Sequence, residues 1–278
     1  MDYVKPVDVA NAMVEAGRTK LGLSPVSLLI RGGLAGAILG AATSLAFTGA
    51  LQTGVPMVGA LIFPVGLCII VILGLDLVTG AFGLVPLPLL HQEFSGPAML
   101  ANWTYIFIGN LIGSMAYGAL LAVALTNFGA TAPAGVAAQI IAVAQAKTTG
   151  YEALGFAGLV TVFVKAMLCN WMVCLAIVMA MTTSSTVGKI AAAWMPMLIF
   201  FGQGFEHSVV NMFVIPTGMM MGAKITVAQW WLWNQIPVTL GNLVGGFIFT
   251  GLSIYITHKP RAGAVPAPLT APTQVPAE

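Results

Sequence analysis

The chain has 278 residues, of which 59% are hydrophobic and only 6% are charged, and its formal net charge is +2. A soluble globular protein carries about a quarter charged residues, so this composition excludes an ordinary soluble domain. Apolar stretches recur along the whole chain, which also excludes a soluble domain held by a single anchor.

An amphipathic segment begins the chain. Between Pro6 and Leu21 the apolar residues recur at near-helical spacing: Val7, Ala10, Val14 and Leu21. We therefore assign residues 1–25 to a cytoplasmic N-terminal amphipathic helix that lies in the membrane interface.

Six apolar segments follow, each long enough to cross a bilayer, which takes about 20 residues. They are 26–50, 56–75, 99–127, 157–183, 188–221 and 228–257. They predict an all-α integral membrane protein whose six transmembrane helices form a transport domain at 26–258. The segments are continuous rather than short and alternating, which argues against an outer-membrane barrel. The Pro/Ala/Thr-rich residues 259–278 predict a disordered cytoplasmic tail.

The basic residues predict the orientation. An even number of spans puts both termini on one side, together with Lys5, Arg18, Lys20, Lys189, Lys259 and Arg261. Only Lys147 and Lys224 fall on the other side in this arrangement. The positive-inside rule makes the first side cytoplasmic, so we expect a multi-pass protein of the inner (cytoplasmic) membrane with both termini in the cytoplasm.

The two halves of the chain share three patterns in the same order. Asn102, Gly109 and Asn110 recur as Asn234, Gly241 and Asn242; Asp76 and Pro86 recur as Glu206 and Pro216; Arg31 and Leu34 recur as Lys165 and Leu168. Three helices per half require the second half to be inverted, and inverted repeats place the transport site between interrupted helices. The sequence therefore predicts an inverted 3+3 repeat whose two broken helices lie at 74–88 and 204–216.

His207 is the histidine that lies deep in an apolar span, where ionisable groups are costly. If residues 200–214 form one helix, a single stripe carries Phe200, Gln203, His207, Asn211 and Val214. His207 can then donate a hydrogen bond or a proton to an anion; the alternative is a packing histidine. Thr79 can present its hydroxyl opposite His207, or cap its own helix.

The remaining candidates are two acids, an apolar stripe and a lysine. We expect Asp76 and Glu206 to accept backbone N–H groups as structural anchors of the broken helices. The stripe of Phe63, Leu67, Ile70 and Gly74 is either ordinary packing or an apolar constriction. Lys147, expected in an outer loop, either draws anions to the mouth or is a lone exposed lysine.

Other classes of protein fit poorly. Cys68, Cys169 and Cys174 lie in apolar spans and are expected to pack as small hydrophobic residues, with no metal or cofactor. A water or glycerol channel needs paired Asn-Pro-Ala loops, which the sequence lacks, and a haem-binding subunit needs histidines paired across spans. No nucleophile–base set suggests an enzyme, so we expect no catalytic residue. We expect no nucleic-acid partner.

Several motifs resemble the formate/nitrite transporter family. They are Asp76-Leu-Val-Thr-Gly80, the stretch from Lys165 to Ala176, Gly204-Phe-Glu-His-Ser208 with Asn211, and Ile236-Pro-Val-Thr-Leu-Gly-Asn242. The similarity covers residues 5–258 and is nearest to formate-uptake members from archaeal formate users.

The resemblance implies an aquaporin-like protomer in a homopentamer with one pore per subunit. It implies His207 as the central histidine, Thr79 on a mobile loop, Asn170 and Asn242 in the lumen, and Lys147 in a vestibule. It places the following residues in two apolar constrictions: Phe63, Leu67, Leu77, Val173 and Phe200. Two departures are Val78, where the family usually has Phe, and a longer stretch between Lys147 and Asn170.

The expected function is transmembrane transport of formate or a similarly small anion, with formate, protons and the lipid bilayer as partners. Either His207 or water acting through it supplies a proton, or the Thr79 loop gates an anion channel. The alternatives are a nitrite or hydrosulfide channel and, less favoured, a water or glycerol channel.

Overall fold

The structure, a computed structural model, describes residues 2–258, and helices dominate it. The α-helices, in chain order, are α1 (Pro6–Leu21), α2 (Pro25–Thr53), α3 (Pro56–Ile62), α4 (Val65–Ile72), α5 (Val78–Leu84), α6 (Gly96–Thr126), α7 (Val136–Ala146), α8 (Thr149–Glu152), α9 (Phe156–Ala180), α10 (Thr186–Gly202), α11 (Ser208–Met220), α12 (Val227–Trp230), α13 (Ile236–Val244) and α14 (Ser253–His258). The tail predicted at 259–278, with Lys259 and Arg261, lies outside the described residues.

Four helices are long and apolar enough to cross a membrane: α2, α6, α9 and the continuous helix Val227–His258. They coincide with four of the six predicted segments. The last of them contains two π-helical stretches, Trp231–Gln235 and Gly245–Leu252, which separate α12, α13 and α14. Side-chain caps explain where two of these helices begin, because Ser24 and Ser95 each precede a helix with proline in its first turn and accept a backbone N–H from it.

The other two predicted segments coincide with series of shorter apolar helices. Helices α3 and α4 lead to α5 across residues 73–77, the first break, and α10 leads to α11 across residues 203–207, the second break. Helices α4 and α10 end in the same way. Gly74 and Gly204 adopt φ values of +63° and +64°, a left-handed conformation that favours glycine and ends a helix. The two breaks thus overlap the beginnings of the ranges predicted for the broken helices, 74–88 and 204–216.

Glycine also brings α2 and α6 together. Gly109 and Gly113 of α6 lie against the backbone of Gly32 and Gly33 of α2, and a Cβ atom at either α6 position would overlap that backbone. Such small residues allow helices to approach closely in a membrane. This contact fixes α6, and with it Asn110, beside the first break.

Helix α1 forms with the predicted bounds, but its buried face differs from the predicted stripe. Val7 is 41% exposed, whereas Val9, Met13 and Val14 are buried against Leu84, Leu87 and Val178. The apolar face of α1 therefore packs against protein at the end of α5, rather than serving only to contact lipid.

Helices α7 and α8 were not predicted, and they correct the position of Lys147. The residue caps the C-terminus of α7 instead of lying in an open loop, and its side chain is only 17% exposed. Helix α7 buries Ala137, Ile140 and Ala144 and packs against α11. The long stretch after Lys147 is thus occupied by α8 and the first half of α9.

Candidate functional site

The two breaks meet where Thr79 contacts His207. Thr79 is the second residue of α5, and His207 immediately precedes α11. The Thr79 Oγ1 atom lies 3.1 Å from His207 Nε2, and both side chains are almost completely buried. The contact joins one polar group from each half of the chain.

The hydrogen-bond network assigns the tautomer of His207. Its Nδ1 atom accepts the backbone N–H of Val210 at 3.2 Å, so Nδ1 carries no proton. The proton of the neutral imidazole is then on Nε2, which donates to the Thr79 hydroxyl oxygen. Thr79 retains its own hydroxyl hydrogen for another acceptor.

The helical stripe expected over residues 200–214 is wrong, because α10 ends at Gly202 and α11 begins at Ser208. Gln203 lies in the second break and is exposed. Phe200 nevertheless stacks against His207, with ring centroids 5.8 Å apart and an interplanar angle of 26°. The break itself brings these two rings together.

Asn110 holds the backbone of the first break. Its Oδ1 atom accepts the N–H of Val78 at 2.9 Å, and its Nδ2 atom donates to the carbonyls of Asp76 (2.9 Å) and Gly32 (2.8 Å). The bonds to Val78 and Asp76 satisfy polar backbone groups that the interrupted helix leaves without partners. Asn110 was not among the predicted site residues, although the internal repeat pairs it with Asn242.

Asn242 makes the corresponding bonds at the second break. Its Oδ1 atom accepts the N–H of Ser208 at 2.8 Å, and its Nδ2 atom donates to the carbonyls of Glu206 (2.9 Å) and Ala166 (2.8 Å). Both amide hydrogens of Asn242 are therefore engaged by the backbone.

The expectation that Asp76 accepts backbone N–H groups is wrong. Its carboxylate pairs with Lys20 of α1, and Arg31 lies 3.6 Å away. The reason is that Asn110 already satisfies the backbone of this break, while a fully buried carboxylate requires a countercharge. Asp76 thus connects α1 and α2 to the first break through side chains.

Glu206 likewise binds side chains instead of backbone N–H groups. Lys147 Nζ lies 2.7 Å from Oε2, and Tyr151 donates to Oε1 at 2.8 Å. Asn211, which the expected stripe placed with His207 as a candidate for the substrate pathway, also donates to Oε2 at 2.8 Å and additionally to Asn234. Sequence reasoning did not identify Tyr151 or Lys20, because no local pattern links them to the acids.

One cavity lies on the α1 side of the contact between Thr79 and His207. It has a volume of about 280 Å³, and its lining includes Lys20, Lys189, Leu67, Leu77 and Gly80. We call it the Lys20 cavity. Leu67 and Leu77, two of the predicted constriction residues, form part of its apolar wall.

A second cavity, of about 480 Å³, lies on the side of α7. Its lining includes Lys147, Lys165, Phe200, Glu206 and Val210, and we call it the Lys147 cavity. It shares no lining residue with the Lys20 cavity. Because Thr79 adjoins Gly80 and His207 adjoins Glu206, the contact between Thr79 and His207 lies between the two cavities.

The other predicted residues are buried but border neither cavity. Phe63 packs edge-on against Phe200 at 5.4 Å and stacks on Phe201 at 4.0 Å, while Val78 and Val173 are buried in the core. Asn170 donates from Nδ2 to the carbonyls of Thr79 (3.0 Å) and Asn242 (2.6 Å). Its Oδ1 atom has no hydrogen-bond partner among the described residues. Asn170 therefore connects α5, which follows the first break, to α13, whose Asn242 binds the backbone of the second break.

Within residues 2–258, no group of three His, Cys, Asp or Glu side chains is arranged to hold a metal ion. The arrangement provides two lysine-containing cavities, apolar walls between them and a pair of neutral hydrogen-bond donors at the centre. Such a site can carry a small anion, or its neutral acid, from one cavity to the other.

Comparison with known proteins gives consistent matches over almost the whole chain. The family model described as formate/nitrite transporter matches residues 7–256. A protein of Methanothermobacter thermautotrophicus named probable formate transporter is 35% identical over 271 residues, covering 92% of this chain and 97% of that protein.

Two solved structures are similar in fold. One, titled FNT family ion channel, has a TM-score of 0.78 and 30% identity and covers 90% of this chain and 98% of its own. Another, titled pentameric formate channel with formate bound, has a TM-score of 0.68 and 25% identity, with coverages of 84% and 98%.

Proposed function

This chain belongs to the formate/nitrite transporter family, and from that premise we propose that it transports formate across the cytoplasmic membrane. The observation that carries the proposal is the contact between Thr79 and His207, buried between two lysine-lined cavities. Its relative from Methanothermobacter, which is named a probable formate transporter, supports the same substrate.

The lysines and the apolar walls act at successive stages of passage. Lys189 or Lys165 raises the local concentration of an anion in its cavity. The walls formed by Leu67, Leu77 and Phe200 oppose a bare charge, because an uncompensated ion in an apolar interior costs several kcal/mol. Formate therefore crosses these walls most easily as formic acid.

The two central donors match the two oxygens of formate. When formate displaces the bond between Thr79 and His207, the Nε2–H of His207 and the hydroxyl of Thr79 can each donate to one oxygen. A neutral His207 has no spare proton, because its Nδ1 atom is occupied by the N–H of Val210. The proton that neutralises formate therefore comes from the external solution and reaches this pair through water, so that one proton enters with each formate. Formate has a carboxyl pKa near the ordinary value of about 4. The two donors stabilise the anion, whereas the apolar walls disfavour it and raise this pKa, so formate takes up the proton as it leaves the donors for the walls.

The architecture we propose is an aquaporin-like protomer of six transmembrane helices in an inverted 3+3 repeat. It is supported by the matched bonds of Asn110 and Asn242 and the matched glycines of the two breaks. We further propose that both termini are cytoplasmic and that the protein is a homopentamer, as the similar pentameric formate channel is.

The test is anion flux into proteoliposomes, with formate, nitrite, hydrosulfide and lactate compared side by side and the internal pH recorded. We expect formate uptake accompanied by internal acidification, and little uptake of lactate. Formate uptake without any change of internal pH would favour an anion channel gated by the Thr79 loop. Uptake of nitrite or hydrosulfide, with formate no faster than in empty liposomes, would refute the proposed substrate.

A further inference from the structure

Cys174 and Asn170 of α9 bind the same backbone atom, the carbonyl oxygen of Thr79 next to the first break. The two residues are one helical turn apart, and both donate to the backbone carbonyl of Thr79. The Cys174 Sγ atom lies 3.3 Å from this oxygen, and the side chain is 3% exposed. The thiol is thus more than the small hydrophobic residue expected from the sequence.

Neighbouring glycines hold the sulfur in this position. A Cβ atom added to Gly83 of α5, or to Gly246 in the π-helical stretch, would lie only 2.8 Å from Cys174 Sγ. The sulfur therefore fills a space between three helical elements that has no room for an additional methyl group. Because it has little freedom to move away, its bond to the Thr79 carbonyl is well defined.

The corresponding positions in the first half of the chain carry no donors. Gly32 of α2 and Ala166 of α9 are equivalent, since each accepts the matching bond from Asn110 or Asn242. The residues one and two turns further along α2 are Gly36 and Gly40, where α9 has Asn170 and Cys174. The two donors are therefore particular to the beginning of α5, where Thr79 lies, and are no general feature of the repeat.

From this arrangement we infer that Cys174 is a positioning residue for Thr79. Helix α5 has seven residues, too few to be stable alone, and the side chain of Leu77 before it makes no cap bond. Bonds from Cys174 and Asn170 to the Thr79 carbonyl fix the backbone of Thr79, and thereby direct its hydroxyl at His207. The expected effect of Cys174 on formate flux rests on the proposed transport function. Its expected effect on the backbone of Thr79 does not depend on that function.

The experiment compares Cys174→Ala with Cys169→Ala in the full-length protein. Cys169 lies on the same helix and is equally buried, but its thiol makes no hydrogen bond among the described residues. Amide hydrogen exchange of residues 76–84 is measured by mass spectrometry, and formate flux is measured per assembled protein. For Cys174→Ala we expect amide exchange of residues 76–84 to become about fivefold faster and formate flux to fall about fivefold. A factor of about five corresponds to the loss of one modest net hydrogen bond. Cys169→Ala should match the wild type in both measurements.

Cys174→Ser retains a donor and should restore both measurements towards wild type, and it also provides the test if the alanine variant does not assemble. Unchanged exchange in Cys174→Ala, or faster exchange without loss of flux, overturns the inference. So does a serine variant that exchanges as fast as the alanine variant. If the wild-type protein carries no formate, the proposed function fails, and the exchange measurement alone still decides whether Cys174 orders the break.

Discussion

Asn110 and Asn242 form equivalent hydrogen bonds at the two breaks, each accepting one backbone N–H and donating to two carbonyls. The first residue of α5 and the first residue of α11 are therefore held by the same side-chain chemistry. This equivalence assigns a structural role to both asparagines, although only Asn242 was expected at the site.

Replacing either asparagine by leucine should destabilise the protein to a similar extent. Each change leaves two backbone groups at the break without their partners, at a cost of about 1–3 kcal/mol each. The third acceptor, the carbonyl of Gly32 or Ala166, lies inside a continuous helix. The measurement is the midpoint of thermal unfolding of the detergent-solubilised protein. An Asn242→Leu variant that keeps wild-type stability but loses transport would contradict the structural role and support a side chain in the lumen.

Thr79→Val should reduce formate flux about tenfold, the loss expected when about 1.4 kcal/mol of stabilisation at the barrier is removed. Valine has nearly the same shape but provides no hydroxyl for formate or for His207. Thr79→Ser retains the hydroxyl and serves as the control, with flux close to wild type. Equal flux in the valine and serine variants would show that the hydroxyl takes no part in transport.

His207→Ala should change the pH dependence of formate uptake more than it changes stability, because the imidazole contributes one of the two central donors. The measurement is initial uptake into proteoliposomes over a range of external pH, normalised to assembled protein. Unchanged flux with an unchanged pH profile would rule out the central role of His207.

Phe200→Ala should weaken the apolar wall of the Lys147 cavity and admit larger anions, so the ratio of lactate to formate flux should rise. Phe200 is almost fully buried between Phe63 and His207, so its removal opens space at the centre. Ile199→Ala is the matched control, because Ile199 precedes Phe200 in α10 but is 45% exposed. Poor assembly without any change in selectivity would identify Phe200 as a packing residue.

Glu206 and Lys147 should show strong energetic coupling. Removing one partner of a buried ion pair leaves an uncompensated charge and typically costs about 3–5 kcal/mol. We therefore expect Glu206→Ala to be more destabilising than Glu206→Gln, which retains an acceptor for Tyr151. The double variant Glu206→Gln with Lys147→Met should be more stable than the sum of its single changes predicts. Strict additivity in thermal unfolding would contradict the pairing.

Composition and local patterns predicted the long helices and the two breaks well. The apolar segment 26–50 coincides with α2, and the glycine before each acid marks where α4 and α10 end. Both signals are local in the sequence. The length of the apolar segment predicts the helix, and a glycine, which tolerates positive φ, predicts the break.

The partners of the buried acids could not be predicted, because they are distant in the sequence. Lys20 and Asp76 are 56 residues apart, and Lys147 and Glu206 are 59 apart. The sequence also does not predict α7, because this alanine-rich stretch of 11 residues is shorter than a membrane span. Tertiary packing against α11 determines it, and this in turn places Lys147 beside Glu206.

The residues that immediately precede α5 and α11 differ, although the breaks around them match. Leu77 occupies the first position and His207 the second. The wall nearest the centre is therefore Phe200, next to the imidazole, for an anion that arrives from the Lys147 cavity. For an anion that arrives from the Lys20 cavity it is formed by Leu67 and Leu77. The free-energy profile for an anion along the path is therefore asymmetric, although the two breaks that support it are nearly symmetric. We expect formate flux to saturate at different concentrations in the two directions, and the current at equal and opposite voltages to differ.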